Sequence, residues 1–567
     1  MRAVSAGSLA TTWRRLRPLA LAAVVLALVV ASTASGAASP APSVTVTQSA
    51  AGLNDVVSGG FEPPDVTLAA GPGFVVELVN LAARVWRTGD ESPQQAQTLT
   101  LTTLFRTGSD RLTDPRILFD TGSGRWFASV SDVDSQSVVL AVSRGSDPTA
   151  GWNVSSFLAG GCADQPRVGI ADGIVVLTAD VFRSCRDGFS PLLGAQIWVV
   201  NKEQLLAGES AASASIGPDH SYESLAPVQS LSPTATEYVV GVDVPAARAV
   251  HLLAVDGIPP AAVRVQEIAT PPISPLQAPP PAQQPAAQGG GRSAPIETND
   301  DRVLDSVWED GRLWFASNSG CTPPGDNRLR SCARVIELST ATRSVTWDTD
   351  ISQPGAHLFY PAIRPDAAGN LVVVYGESGV AEMPRLMVVG RAPDGTFSSS
   401  ATVALSASQH EGGRFGDYFA AARDPQHPEI VWVAGEYGVD VAGVRGWNTS
   451  IASVQVTSAG IDLPAVTRAL PPGVRAQAAV GRVGSAVRLG YTALDDGASV
   501  RQQVVVRKKR KVVFDATTNR GAVSATQSYY VLWHPAKRLR GTFRWCVHTI
   551  SPSGASSPDS CSTVTLR

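Results

Sequence analysis

A pattern of apolar and polar positions recurs along much of the chain. Each copy begins with a polar residue and usually a proline, continues as an apolar stretch, turns at Gly or Asp, and returns as a second apolar run. Two antiparallel strands joined by a tight turn give this alternation. Seven copies are present, the fifth and the seventh without the proline, at 64–80, 114–131, 165–180, 226–243, 304–318, 360–376 and 417–435.

The prolines of the copies step by 51, 51, 61 and then 134 residues, the last step covering two periods. A strand-turn-strand unit repeated seven times in this way predicts an all-β fold built on a seven-bladed β-propeller. The first run of each copy would be the innermost strand of a blade, and residues between copies would supply the outer strands. The seventh copy has room for only three strands before residue 460. The alternating segment 43–47 is therefore predicted to add the fourth strand and close the ring.

The N-terminus predicts export. Arg14, Arg15 and Arg17 precede an apolar run at 19–30 and then small residues, so residues 1–38 are predicted to be a signal peptide. The run of about 12 residues is too short to cross a bilayer. Both the ordinary secretory route and the twin-arginine route stay open. We expect a secreted, extracellular protein without a transmembrane anchor.

The remaining chain divides by composition. Residues 42–460 form the predicted propeller, 461–475 a proline-containing linker, and 476–567 a run of short strands. Such strands predict a small β-sandwich of immunoglobulin or fibronectin type III type. Within the propeller, residues 271–300 are rich in proline and are predicted to be a disordered, mobile insertion. It would be a long connection between blades, a lid or a docking strip.

Six cysteines in an exported chain predict disulfides. Residues that pair across a hairpin share one midpoint, and three midpoints fall on or beside turn residues. The predicted bridges are Cys162 with Cys185, Cys321 with Cys332, and Cys546 with Cys561.

Charge and motifs narrow the functional classes. Charged residues are 17% of the chain and the net charge is −3, which gives no basic field for nucleic acid. His410-Glu411 lacks the second histidine of a zinc protease, and residues 131–135 lack the Gly and Glu of a calcium loop, so we expect neither metal nor cofactor. The basic run 507–511 is predicted to be a solvated hairpin turn, with contact to an anionic polymer as the alternative. The oligomeric state stays open.

Four elements carry a resemblance to a known group of proteins. They are Asp114-Pro115-Arg116, residues 147–152, residues 301–316 and Gly416-Asp417-Tyr418. With them, residues 42–460 resemble secreted bacterial seven-bladed propellers, similar in shape to sialidases and to propellers of YVTN repeats. The resemblance implies the fold and no particular activity.

Sialidases suggest the sharpest test of chemistry, since they hold a substrate carboxylate with three arginines. Arg116, Arg167 and Arg364 each follow the start of a copy, and Glu377 or Glu436 with Tyr437 could supply a Tyr/Glu pair. The sequence lacks the FRIP element and the Asp box of those enzymes. The alternative interpretation is structural, because a polar residue before an inner strand often bonds the backbone of the adjacent blade.

We therefore predict a binding or interaction module for an extracellular glycan or envelope component. The alternative is a glycan-active enzyme, a sialidase-like glycoside hydrolase or a lyase, using carboxylates and arginines at the channel mouth. In either case the residues that start the copies should meet around one axis. The predicted ligand contacts are Asp114, Arg116, Asp164, Arg167, Tyr360, Arg364 and Asp417.

Overall fold

The computed structural model describes residues 41–89, 92–186, 190–286, 293–441, 444–457, 473–494, 499–521, 528–550 and 559–567. The predicted signal peptide and most of the predicted linker lie outside these ranges. The described helices are short: α1 (Leu101–Phe105), a 3-10 helix (Pro148–Ala150) and α2 (Lys202–Ala207). In the described part of the chain, no helix is long and apolar enough to cross a membrane.

Strands make up most of the described chain. The first eighteen are β1 (Ser43–Asn54), β2 (Thr67–Gly71), β3 (Phe74–Val79), β4 (Ala82–Arg87), β5 (Gln94–Thr100), β6 (Leu112–Asp120), β7 (Arg125–Asp132), β8 (Ser137–Ser143), β9 (Trp152–Leu158), β10 (Cys162–Ile170), β11 (Ile174–Phe182), β12 (Leu192–Asn201), β13 (Ser213–Asp219), β14 (Ala226–Pro227), β15 (Gln229–Ser230), β16 (Glu237–Val242), β17 (Val250–Asp256) and β18 (Arg264–Ala269). The next eleven are β19 (Val303–Glu309), β20 (Arg312–Cys321), β21 (Arg330–Ser339), β22 (Ser344–Ile351), β23 (Ala356–Pro365), β24 (Leu371–Gly379), β25 (Arg385–Arg391), β26 (Ala401–Leu405), β27 (Ala420–Arg423), β28 (Ile430–Val441) and β29 (Val444–Thr457).

These strands pair as successive antiparallel groups of four. In chain order the groups are β2 to β5, β6 to β9, β10 to β13, β14 with β16 to β18, β19 to β22, β23 to β26, and β27 to β29 with β1. The short strand β15 bonds in parallel to both β10 and β19 and so links the third and fifth groups. Each innermost strand contacts the innermost strand of the next group, and β27 contacts β2, so the ring closes. This is the predicted β-propeller fold.

The core lies between the sheets rather than along the axis. Seven clusters of buried apolar side chains each combine residues from two neighbouring sheets, including the pair formed by the last sheet and the first. Each sheet is therefore covered on both faces, which explains the nearly continuous apolar runs in its inner strands. The side chains of the innermost strands that do not enter these clusters are left for the central channel.

The N-terminal strand closes the ring as predicted. β1 pairs antiparallel with β29, from Ser43 opposite Thr457 to Asn54 opposite Asn448. The strand is longer than the predicted segment 43–47, and its last residues reach the core, where Leu53 is fully buried. The pairing covers the edge of β29.

The three predicted disulfides are also confirmed. Cys162 pairs with Cys185, Cys321 with Cys332, and Cys546 with Cys561. Cys546 lies directly opposite Cys561, as the midpoint argument requires. Cys321 and Cys332 lie on neighbouring strands but two residues out of register, since Cys321 lies opposite Arg330.

The C-terminal strands form a small β-sandwich. One sheet holds three strands and the other five, around a core that includes Trp533 and Trp545. The first strand begins inside the predicted linker, at residue 473. The bounds are β30 (Gly473–Ala476), β31 (Ala479–Gly481), β32 (Val487–Leu494), β33 (Ser499–Lys508), β34 (Lys511–Gly521), β35 (Ser528–Trp533), β36 (Gly541–Ile550) and β37 (Ser560–Leu566).

The proline-rich insertion packs against the propeller over residues 271–286 and 293–300. Ala282 and Ile296 bridge each other and are fully buried, and the Gln284 side chain exchanges hydrogen bonds with the His410 backbone. This differs from the mobile excursion expected from composition. Proline carbonyls still accept hydrogen bonds, and Gln409 donates one to Pro285, so the segment satisfies its backbone without regular structure.

Candidate functional site

A β-bulge stands at the start of three inner strands. The pairing of first and second strands skips Asp114-Pro115, Gln165-Pro166 and Tyr360-Pro361. Asp114, Gln165 and Tyr360 have left-handed φ angles of 57°, 47° and 53°. A bulge bends its strand and re-aims the following side chains. In these three sheets the copy-start motif of the sequence therefore corresponds to the same backbone feature, a bulge in the innermost strand.

Polar side chains tie two of these bulges, and the segment before β14, to the preceding sheet. The Asp114 backbone N–H donates to Asn80 over 2.9 Å, that of Ser224 to Asp180 over 2.7 Å, and that of Tyr360 to Asn318 over 2.7 Å. Each acceptor is the last residue of its copy's second apolar run. These bonds brace neighbouring sheets, which is the structural role that the sequence left open for the copy-start positions.

Four carboxyl groups gather where the inner strands begin, and we call them the acidic layer: Asp65, Asp114, Asp164 and Asp417. One oxygen from each of Asp65, Asp114 and Asp417 lies within 4.8 Å of the others, and all three residues are buried. Burial, followed by the charges of neighbouring carboxylates, raises the pKa of Asp65 and Asp164 well above the ordinary value. The same causes raise the pKa of Asp114. Like charges this close oppose one another's ionisation, so we expect the layer to hold protons to a higher pH than isolated carboxyl groups do.

The oxygens of the acidic layer have hydrogen-bond donors. Asp65 accepts from the Asp417 backbone over 2.8 Å and from the Asn80 side chain over 2.7 Å. Asp114 accepts from the Gln165 backbone over 3.3 Å, and Asp417 accepts from Arg414 over 2.7 Å. Three clustered carboxylates could hold a cation. These, however, accept from N–H donors, two of which are backbone groups of an adjacent sheet, so the donor set fits a structural brace better than a metal centre.

A cavity of about 80 Å³ lies in the channel among the inner strands of all the sheets. Its polar lining includes Arg116, Arg167, Arg364 and Asp305. The first three, from the second, third and sixth sheets, are the channel arginines. Arg116 and Arg167 come two residues after the left-handed bulge residue, whereas Arg364 comes four after. Because residues two apart share a face of a strand, the bulges direct all three toward the axis.

The channel arginines are only partly satisfied by protein atoms. Arg116 donates to the Leu304 carbonyl over 3.3 Å, and its guanidinium carbon lies 3.3 Å from the centre of the Tyr418 ring. Arg364 donates to the Ala421 carbonyl over 2.8 Å and lies 3.4 Å from Asp305. Among the described protein atoms, both terminal nitrogens of Arg167 and one each of Arg116 and Arg364 are buried without a hydrogen-bond partner.

Arg167 is the most isolated of the three. It is 5% exposed, and burial, with the charges of Arg116 and Arg302, lowers its pKa to about 9. Burial also lowers the pKa of Arg364. Guanidinium groups held this close in a buried cavity repel one another, so an anion bound among them would relieve that repulsion.

The mouth at the start of the inner strands is covered by the insertion. The Tyr360 hydroxyl donates to the Glu297 carbonyl over 2.8 Å, and Asn299 donates to Asp417 over 3.3 Å. The seven predicted contacts therefore separate. Asp114, Asp164, Tyr360 and Asp417 lie at the covered end, and Arg116, Arg167 and Arg364 line the cavity.

The residues considered for a sialidase-like Tyr/Glu pair lie elsewhere. Glu377 forms an ion pair with Arg385, Glu436 is fully buried 3.4 Å from His410, and Tyr437 contacts Asn448. None of Glu377, Glu436 and Tyr437 lines the described cavity. Asp305, which does line it, accepts hydrogen bonds from the Ile363 backbone and from Arg364.

Sequence reasoning missed the bracing acceptors Asn80, Asp180 and Asn318 and the carbonyl of Leu304. The three acceptors share a signal that could have found them, because each is an Asn or Asp at the end of an odd-numbered copy. The Leu304 carbonyl carries no such signal, since a backbone atom's position depends on the closure of the ring.

Comparisons with known proteins add little to this picture. No protein-family model matches the chain, and no curated protein matches it. Among solved structures, phage phi92 endosialidase is 8% identical over 92% of this chain and 87% of its own, with a TM-score of 0.36. The Fusarium graminearum α-L-arabinofuranosidase Arb93A is 9% identical over 73% of this chain and 97% of its own, with a TM-score of 0.34. Apo AztD from Citrobacter koseri is 10% identical over 60% of this chain and 86% of its own, with a TM-score of 0.29. Similarity this low carries no argument about function.

Proposed function

We propose that the protein is an extracellular binding module that holds an acidic group of its ligand at the channel arginines. The observation that carries the proposal is the set of buried guanidinium nitrogens of Arg116, Arg167 and Arg364 that have no partner among the described protein atoms. A buried polar group without a partner costs free energy, and a charged one costs more. A carboxylate or sulfate would supply the missing acceptors, with charge-assisted bonds to more than one arginine.

The size of the cavity limits what enters it. A volume of about 80 Å³ admits a carboxylate, a sulfate or a few water molecules. The cavity is small, so we expect a glycan ligand to present its acidic substituent there. The predicted export signal and the three disulfides support an oxidising, extracellular setting.

Binding is better supported than catalysis. A glycan-active enzyme would need two carboxyl groups about 5 to 10 Å apart and facing the ligand. Asp65, Asp114 and Asp417 accept hydrogen bonds from the backbone or from Arg414, and Asp305 is bonded to the sixth sheet. Each of the four thus already has a partner in the described protein, and none is an unpaired carboxyl facing a ligand.

The proposal is tested by the response of thermal stability to small anions. Sulfate, acetate and glucuronate should raise the melting temperature of the mature protein, whereas glucose should not, because a ligand that binds only the folded state stabilises it. Arg167→Gln removes charge-assisted bonds worth about 1.5 to 3 kcal/mol each, so affinity should fall tenfold or more.

Arg312→Gln is the matched control. Arg312 is paired with Glu337 and does not line the cavity, so its loss should leave the response to anions unchanged. Equal responses in the wild type, Arg167→Gln and Arg312→Gln would refute the proposed site.

A further inference from the structure

One end of the sandwich is strongly basic, namely the end far from residue 550. The β33–β34 hairpin contributes the run 507–511, which is Arg-Lys-Lys-Arg-Lys. Three other segments reach the same end, because Gly481 and Gly541 both lie opposite Leu566, and Arg507 lies opposite Arg544. The fold therefore brings together the hairpin, the loop 482–486, the loop 534–540 and the last residue.

Those other segments are basic too. They add Arg482, Lys537, Arg538, Arg540 and Arg567 to the five residues of the run, and all ten basic side chains are exposed. The sequence of the four segments contains no Asp or Glu. Among the described residues, no ion pair involves any of the ten. We call this surface the basic end.

The segments of the basic end contact one another directly. The Lys508 ammonium donates to the Arg540 carbonyl over 2.9 Å, and the Val483 N–H donates to the Arg567 carbonyl over 3.1 Å. An open depression of about 490 Å³ lies among Arg482, Lys537, Arg540 and Arg567. The charges thus belong to one continuous surface rather than to separate turns.

Such a surface is unusual on a chain whose net charge is −3. Like charges repel and oppose the compact state, and here no acidic side chain of the same segments offsets them. A partner with repeated negative charges would relieve that repulsion and release its own counterions.

We propose that the basic end binds a linear acidic polysaccharide, one that carries carboxylate or sulfate groups at regular intervals. The spread of charge over four segments suits a chain of acidic residues better than a single anion. Single-stranded nucleic acid binding usually adds exposed aromatic side chains for base stacking. At the basic end Phe543 beneath Lys508 and Trp533 in the core are buried, and the four segments contain no Phe, Tyr or Trp.

The experiment uses the mature full-length chain and measures fluorescence anisotropy with labelled polymers. Polygalacturonate and dextran sulfate test carboxylate and sulfate as the recognised group, and neutral dextran controls for nonionic binding. We expect binding to at least one acidic polymer, none to neutral dextran, and an affinity that falls steeply as salt rises.

Two charge-reversal pairs test the surface. Lys509→Glu with Arg510→Glu, and separately Lys537→Glu with Arg538→Glu, should each weaken binding at least about tenfold. The control is Arg501→Glu, an exposed arginine at the opposite end of β33, where it lies opposite Ile550. Its effect should stay within roughly twofold. Circular dichroism confirms that each variant is folded.

Three results would overturn the inference. They are the absence of binding to both acidic polymers, an equal loss with Arg501→Glu, and equally tight binding of a DNA duplex of matched charge. Small anions at the channel arginines are measured separately by thermal stability, so failure at one surface is distinguishable from failure at the other.

Discussion

The acidic layer lies where inner strands begin and the channel arginines lie further along inner strands, yet the two groups treat buried charge in opposite ways. The oxygens of Asp65 accept hydrogen bonds from Asn80 and from the Asp417 backbone, and burial with neighbouring carboxylates raises the pKa of Asp65, which favours its neutral form. The arginines do not lose their positive charge so easily, and two side-chain nitrogens of Arg167 have no hydrogen-bond partner in the described protein. Buried charge that the protein satisfies indicates a brace between sheets. Buried charge that it leaves unsatisfied indicates a place for a ligand.

The comparison predicts its largest effect on stability in the acidic layer. Asp65→Ala removes the acceptor of the Asp417 N–H and of the Asn80 amide, both of which stay buried. We expect a loss of about 3 kcal/mol in the free energy of unfolding, because buried donors are left without partners. Urea denaturation measures it. Asp134→Ala, which breaks the exposed pair with Arg111, serves as a control and should behave as the wild type.

The pH dependence of stability should be the next largest effect. The pKa of Asp65, Asp114 and Asp164 is raised in the folded state, so the folded protein holds protons that the unfolded chain releases above about pH 4. The free energy of unfolding should therefore fall as pH rises from about 4 through the raised pKa values, by up to about 1.4 kcal/mol per pH unit for each proton.

Asp65→Asn separates this contribution from all other titrations. The amide cannot release a proton, so the fall between pH 4 and pH 7 should be shallower than in the wild type. Urea denaturation at several pH values measures both slopes. Identical slopes would show that Asp65 is ionised in the folded state and that the acidic layer does not retain a proton there.

A smaller effect of opposite sign is expected at the channel arginines. Arg167→Met removes a buried charge that lacks an acceptor, and the methionine side chain occupies similar space. In a buffer without binding anions, we expect the variant to be more stable by about 1 kcal/mol. Thermal and urea denaturation both measure this. A marked loss of stability would mean that Arg167 is a brace, like Asp65, and that the comparison between the two groups is wrong.

The sequence predicts much of the fold because its signals are local or periodic. The seven copies, the alternation at 43–47 and the hairpin midpoints of the cysteines each depend on strand geometry alone. The same periodicity places Arg116, Arg167 and Arg364 near one axis. It does not separate them from Asp114 and Asp417, because that separation depends on the register after each bulge.

The sequence does not predict that residues 271–300 cover the mouth, and the reason is different. Residues 271–300 have a composition typical of mobile linkers, and their order comes from contacts with residues more than a hundred positions away, such as Gln284 with His410. Side-chain amides of this kind carry no periodic signal. Long-range polar contacts of single residues are what a pattern-based analysis cannot supply.

The smallest expected effect tests whether the acidic layer depends on its one hydrogen-bonded cation. Arg414 bonds Asp417 over 2.7 Å but is 48% exposed, so its loss should cost less than about 1 kcal/mol near neutral pH. Its charge lowers the pKa of Asp65, however, and Arg414→Gln should raise that pKa further. The fall in stability with rising pH should then extend to a higher pH than in the wild type. Urea denaturation from pH 4 to pH 8 measures this shift. An unshifted profile together with a large loss of stability would mean that Arg414 stabilises the fold directly and does not act by lowering the pKa of Asp65.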